Sequence, residues 1–369
     1  MINEIYTTLT TALATTLLVL CILFYSLSRN AENRVFKIVL RLMTFTYCFF
    51  GLVNILELWG RVDLSETDNI LFFQVATLVV AVSQAFLFTH TLILLIHAAY
   101  ITRKRMVREV AFLFTFSTVF VVACLILPDV WKKVGVWMFI LFYVYLLIKY
   151  TRIFVSTYRM CLQKMDNFFS GSEAEHLRWV SFSFFAALSI GVLALLASLF
   201  PNLLVGTLCS AIYFCFYLYF ACRLINYDRF YRKIEEVLSD ETILPELQNE
   251  DKTTTILISK PFETNLKIWL DKKYFLQPGV TIESVALQVG TNRSYFSEYI
   301  NSVKGKTFRQ WINELRIDEA KKLMIENPKM TLNELALQVG YSDKSHFIRQ
   351  FSKLTGIFPK EYKRQENIV

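Results

Sequence analysis

Lys344, Ser345, Ile348, Arg349 and Ser352 share one side of a helical pattern whose other side is Phe347, Phe351 and Leu354. About 50 residues upstream, a similar pattern sets Ser294, Ser297, Glu298 and Asn301 opposite Phe296, Ile300 and Val303. Hydroxyls, a carboxylate, an amide and two cations can donate and accept hydrogen bonds along a groove, which is recognition without bond breaking. The stretches that lead into these helices are near copies, TIESVALQVG at 281–290 and TLNELALQVG at 331–340. Two helices joined by a sharp turn, and then repeated, form a tandem helix-turn-helix. The second helix of such a unit enters the major groove of double-stranded DNA.

Catalytic patterns are missing from the chain. It has no HExxH, no GxSxG and no paired carboxylates of the kind used in acid–base work, so no enzyme is expected. The 7 cysteines (Cys21, Cys48, Cys124, Cys161, Cys209, Cys215 and Cys222) all lie in the hydrophobic part. None falls in a CxxC or Cys/His spacing, so no metal, cofactor or disulfide framework is expected.

Each helix pair carries its own positioning residues. Thr281 and Thr331 stand as N-caps before an apolar helical period. Ala286 and Ala336 are small where two helices must cross closely, and Gly290 and Gly340 supply the turn. Phe296 and Phe347 anchor the second helices. Between the pairs, residues 307–327 predict one helix capped by Thr307 and ended by Asn327-Pro328. At 1.5 Å per residue it is about 31 Å long. That is close to the roughly 34–36 Å of one DNA turn, so a bipartite site on one duplex face is expected.

The rest of the chain is of another kind. Of 369 residues 54% are hydrophobic and 33 are Phe, which excludes an ordinary soluble protein. Seven segments, near 9–28, 38–58, 71–98, 109–127, 134–151, 178–200 and 203–224, are long and apolar enough to span a bilayer. The first lacks a basic n-region and is kept as a span rather than a signal peptide. Alternate connections hold 13 basic residues: Arg29, Arg34, Lys37 and Arg41; Arg103, Lys104, Arg105 and Arg108; Lys149, Arg152, Arg159, Lys164 and Arg178. The others hold only Arg61, Lys132 and Lys133. Positive residues stay inside, so the N-terminus is placed outside an inner (cytoplasmic) membrane and the C-terminal part in the cytoplasm. That part carries 19 Lys/Arg against 12 Asp/Glu over 252–369, a balance suited to a polyanion.

Polar groups within the spans are the sensor candidates: Asn54, Glu57, Gln74, Gln84, His90 and His97. Such groups face the bundle interior or a cavity. They either pack the helices together, line an outward-opening pocket near Asn54, Glu57 and Gln74, or sense ions through His90 and His97. Residues 225–239 continue span seven, with Tyr227, Phe230, Ile234 and Val237 at 3-4-3 spacing. This stripe is either a short homodimer seam or an amphipathic helix on the membrane surface. A flexible linker is expected over 240–262.

The segment from about 264 to 364 resembles the DNA-binding domain of the AraC family of bacterial transcription regulators. The resemblance rests on ALQVGYSDKSHFIRQFSKLTGIFPKEYK, with Ala336, Gly340, Tyr341, Ser345, Phe347, Arg349, Phe351, Gly356, Pro359 and Tyr362. It implies base-edge contacts at Ser294, Ser297 and Glu298, and at Lys344, Ser345 and Arg349. Lys304, Lys306, Arg309, Lys353 and Lys363 are expected at phosphates, and His346 is expected to be structural. Two positions depart from the family pattern: Glu298 stands where Arg or Gln is common, and Phe358 stands where Ser or Thr caps the last helix. The seven-span half resembles, by architecture, membrane-tethered members of the family in Bacteroidetes-type bacteria.

The expectation is therefore an all-α protein: a seven-helix transmembrane domain (1–224), a helical joint and linker (225–262) and a DNA-binding domain (263–364). Its partners would be duplex DNA, membrane lipid, an unidentified small-molecule or membrane signal, a second copy of the chain and, for an activator, RNA polymerase. Two rivals stand beside it. One is a precursor releasing its DNA-binding part by proteolysis; the other is a transporter or membrane enzyme with an autoregulatory DNA-binding domain.

The charge pattern makes a topological prediction. A reporter fused after residue 225 should be active only in the cytoplasm, and one at the N-terminus only outside. Cytoplasmic activity at the N-terminus would refute the seven-span count.

Overall fold

The computed structural model describes residues 2–60, 67–171, 173–199, 202–239 and 259–366. Among them all regular structure is helical: α1 Ile2–Asn30, α2 Arg34–Gly60, α3 Thr67–Ile96, α4 Arg103–Ile126, α5 Asp129–Phe168, α6 Arg178–Leu199, α7 Leu203–Ser239, α8 Ser259–Asp271, α9 Ile282–Val289, α10 Arg293–Val303, α11 Phe308–Glu326, α12 Leu332–Gln338, α13 Lys344–Thr355 and α14 Pro359–Gln365. Two compact units result. One holds α1–α7 apart from the end of α5; the other holds Met160–Leu177 together with α8–α14.

The first unit contains seven helices long and apolar enough to cross a membrane. α3 is the most enclosed of them and α4 the most exposed. Phe112, Phe114, Leu125 and Ile126 of α4 point outward, an arrangement suited to lipid contact and costly in water. The interior is aromatic. The buried Tyr47 hydroxyl donates to the Tyr217 carbonyl at 2.8 Å, joining α2 to α7. Phe24 meets the Tyr47 ring edge-on at 5.1 Å, and Phe88 packs on both Phe216 and Phe220. α1 and α2 cross closely, since a Cβ on Gly51 would lie 2.9 Å from Leu18 Cδ2.

Two helices outrun their expected spans. α5 has 40 residues, about 60 Å at 1.5 Å each, because no glycine or proline interrupts it between Gly135 and Gly171. α7 carries on through the joint to Ser239. Here the seam reading is corrected for Tyr227. Tyr227 is buried and meets Trp179 of α6 edge-on at 5.0 Å; its ring also packs on Phe230 at 5.6 Å. Next to them Tyr231 packs on Phe36 of α2. The apolar stripe here continues the bundle-facing side of the helix, because aromatic rings gain more by packing on the neighbouring helices than by waiting for a second copy. The side chains of Ile234 and Val237, and linker residues 240–258, lie outside the described residues.

In the second unit each helix pair has its own core, and α11 contributes to both. Phe262, Leu266 and Trp269 of α8 are buried, and Phe262 packs on Phe296, while Trp269 stacks on Trp311 at 5.9 Å. The other core gathers Ile317, Ala320, Met324, Leu335, Ala336, Val339, Tyr341, Phe347 and Phe351. α11 is 19 residues long, about 28 Å, slightly under the expected length. The two cores are tied by Arg316, 1% exposed, which donates from Nε to the Phe275 carbonyl (2.9 Å) and from Nη2 to the Gln277 carbonyl (2.7 Å).

Gly340 closes the same joint. Its φ is +84°, and a Cβ there would lie 2.3 Å from the Leu276 carbonyl oxygen, part of the backbone. Gly356 has nearly the same φ, +82°, with nothing within 4 Å of its would-be Cβ. Gly340→Ala should therefore cost about 3–5 kcal/mol, combining strain and clash, and Gly356→Ala only about 1–2 kcal/mol. Hydrogen exchange across α12 and α13 measures both, and equal losses would contradict the packing argument.

Candidate nucleic-acid interface

Capping defines the two helix pairs. Thr281 and Thr331 each accept from the backbone three residues on, and the side chains of Ser284 and Glu334 return the bond to the cap N–H. Glu334 is held below the usual carboxylate range by the Thr331 backbone and hydroxyl donors. Gly290 ends α9 at φ +78°, and the Thr291 N–H reaches back to the Ala286 carbonyl at 2.9 Å. Ala286 and Ala336 are fully buried at the crossings. The second helices start at caps the sequence reading had not singled out. Asn292 accepts from the Tyr295 N–H and Asp343 from the His346 N–H, both at 2.7 Å.

Phe296, Ile300, Phe347 and Phe351 are buried as the periodicity requires. Two assignments are corrected. Val303, 62% exposed, and Leu354, 38% exposed, lie at the ends of α10 and α13, where the chain turns away at Gly305 and Gly356. Ile348 also differs from expectation, being half-buried against the second core.

Of the base-edge candidates, Ser294, Glu298, Lys344, Ser345 and Arg349 are exposed and Ser297 is half-buried. Asn301 Nδ2 donates to Ser297 Oγ at 3.4 Å. Arg349 Nη1 pairs with Glu175 at 2.9 Å. The cations expected at phosphates divide into two groups. Lys304 and Lys353 are exposed, with the Lys304 ammonium 5.9 Å from the Tyr299 ring. Lys306 pairs with Glu314 at 2.5 Å, and Arg309 pairs with Asp166 at 2.9 Å. Lys363 donates to the Pro328 and Met330 carbonyls, bracing the turn between α11 and α12. Phe358 gives α14 no side-chain cap, as its residue type implies.

Sequence reasoning missed three features: buried Arg316, the Tyr341 hydroxyl donating to Asn313 Oδ1 at 2.9 Å, and the acidic pairs at 166 and 175. Arg316 was recoverable, because it lies four residues from both Ile312 and Ala320 on the buried face of α11. The acidic pairs had no local signal.

The membrane candidates fall into separate settings. Asn54 donates to the Phe50 carbonyl of its own helix, and Glu57 accepts from Tyr6. Gln74 is half-buried, Gln84 is buried, and His97 precedes the 3-10 turn Ala98–Tyr100. His90 Nδ1 faces the Phe86 carbonyl at 2.8 Å, and its Nε2 lies 3.1 Å from Glu109, which Arg105 and Lys149 also approach at 3.7 Å.

Residues 279–365 match the helix-turn-helix domain family. An uncharacterized HTH-type transcriptional regulator in the cgkA 5' region of Pseudoalteromonas carrageenovora is 30% identical over 132 residues, 36% of this chain and 73% of the relative. The virulence regulon transcriptional activator VirF of Yersinia enterocolitica is 28% identical over 99 residues, 27% of this chain and 35% of its own. The uncharacterized HTH-type transcriptional regulator YisR of Bacillus subtilis is 34% identical over 85 residues, 23% of this chain and 29% of its own. The chain thus spans about a third of the length of these last two. No solved structure matches it.

The setting of His346 predicts a pH response in α13. It is 2% exposed, sits edge-on to Tyr341 at 5.2 Å, and its Nε2 has no hydrogen-bond partner. Burial, then the nearby Arg309 charge, holds the ring below the ordinary histidine value. The fold thus favours neutral imidazole. Its contribution is complete above the ordinary value of about 6.5 and is lost as pH falls through the lower folded-state value. Hydrogen exchange in α13 should accelerate on acidification through that window, and His346→Phe should flatten the response. An unchanged pH slope in His346→Phe would assign the effect elsewhere.

Proposed function

Because the chain belongs to the helix-turn-helix transcriptional regulators of the AraC type, and so binds DNA, we propose that it does so while anchored in the inner membrane. The seven membrane helices receive a signal and change how the cytoplasmic DNA-binding part is presented. The outward-facing apolar side chains of α4, on a bundle of seven such helices, support the anchoring. Alternating basic loops support the orientation that brings α8–α14 to the DNA.

The observation that carries the DNA reading is the make-up of α13. Its apolar side is locked into the second core, while Lys344, Ser345 and Arg349 stand exposed on the other. In this reading those three side chains meet base edges, and Ser294, Ser297 and Glu298 do so from α10. Arginine suits guanine O6/N7, and a carboxylate suits cytosine N4. Lys304 and Lys353 serve phosphates. α11, capped at both ends, sets the spacing between the two recognition helices.

Arg349→Ala should cost about 1–3 kcal/mol and relax preference at one position of the site, whereas Lys304→Ala should weaken all sequences alike. The lysine change should also make the salt slope shallower by about one. Binding of the full chain in lipid nanodiscs to a randomised duplex pool, read by sequencing, separates the two. A uniform loss from Arg349→Ala would move that residue to the phosphate class.

A further inference from the structure

The second unit includes a piece of chain from outside the DNA-binding domain: the end of α5 and the turn Glu173–Leu177. It is bound at both helix pairs. Beside the start of α9, Phe169 forms an antiparallel bridge with Thr281, and the Ser170 N–H and hydroxyl both donate to the Val280 carbonyl, at 3.2 and 2.6 Å. On the other side, Glu175 pairs with Arg349 at 2.9 Å and approaches Arg309 at 4.0 Å, while Asp166 takes Arg309 at 2.9 Å. One carboxylate therefore occupies Arg349, which the DNA reading needs, and the other occupies Arg309, which the sequence offers to a phosphate. A carboxylate offers a guanidinium an anionic pair of acceptors as a phosphate does, and guanine O6/N7 offers a neutral pair of the same kind.

We infer that residues 160–177 act as a built-in competitor for DNA, holding the Arg349 face of α13 until this segment is withdrawn. The inference rests on the reading that Arg349 contacts DNA. Glu175 is 22% exposed and Arg349 44%, so the pair is partly shielded yet still reachable by solvent, as a releasable contact requires. The segment is also the direct continuation of membrane helix α5. A shift of that helix along its axis would pull on Ser170 and Glu175 without any other transmitter. Ion pairs of this exposure are weak enough to be displaced by a polyanion, and DNA offers many phosphates against two carboxylates.

The test uses the full chain in lipid nanodiscs and a 40-base-pair duplex carrying the site that the wild-type chain selects from the randomised pool, followed by fluorescence anisotropy. Glu175→Gln keeps the shape and removes the charge. It should tighten binding about three- to tenfold, and Glu175→Gln with Asp166→Asn somewhat more. Adding Arg349→Ala to Glu175→Gln should cancel most of the gain. Unchanged binding by both carboxylate variants, with Arg349→Ala alone still weakening it, would overturn the competitor and leave the Arg349 reading standing. A gain that survives Arg349→Ala would overturn both. Thermal melting of each variant checks folding, and a Glu175→Lys change gives a second arm, because repulsion of Arg349 should open the contact further. Tighter binding in the glutamine variant and none in the lysine variant would also count against release as the mechanism.

Discussion

The second unit depends on one buried cation. Arg316 lies in the middle of the helix between the two pairs, and its guanidinium fills the carbonyl oxygens of Phe275 and Gln277. Those carbonyls belong to the turn after α8, which packs with the first pair. The ring of Tyr341, which opens the segment before α13, lies 5.5 Å from the same guanidinium. Arg316 thus ties the first core, the connecting helix and the second recognition helix into one arrangement. Removing it would leave two carbonyls and the Tyr341–Asn313 pair without their neighbour, at a cost of about 1–3 kcal/mol for each buried carbonyl left unsatisfied. The close seat of Gly340 on the Leu276 carbonyl follows from the same joint.

Around that tie, recognition is separated from stability. Aromatic and aliphatic side chains hold the inner faces of α10 and α13, whereas the outer faces bear short or flexible polar groups that contribute little to the cores. A regulator can then vary its base contacts without loosening its fold. The same logic explains why three basic residues expected at phosphates are engaged within the protein. Lys306 and Lys363 reach a carboxylate and turn carbonyls from partly exposed positions, and Arg309, 14% exposed, takes Asp166.

The seven-helix unit solves a different problem. In the membrane setting proposed for it, lipid would supply no hydrogen-bond partners, and its polar groups turn to one another or to their own helix. Asn54 returns to the Phe50 carbonyl, Tyr47 reaches across to Tyr217, and Glu57 is met by Tyr6. His90 and Glu109, with Arg105 and Lys149 nearby, form the densest charge cluster described in this unit. Packing therefore accounts for several groups that the sequence offers as sensors, and the His90 cluster joins α3, α4 and α5 through Glu109.

Much was legible in the residues themselves. Hydropathy marked seven membrane-length helices, and the repeat at 281 and 331, with its threonine caps and turn glycines, marked the two helix pairs. These are local properties: helix period, cap chemistry and left-handed backbone are set by neighbours a few residues away. Tertiary structure decided the rest. Whether the 227–231 stripe faces a partner or its own bundle depends on Trp179 and Phe36. Whether Arg309 is free for DNA depends on Asp166, 143 residues away along the chain. A side chain's residue type determines which partners it can accept, but only the packed chain brings one of them within reach.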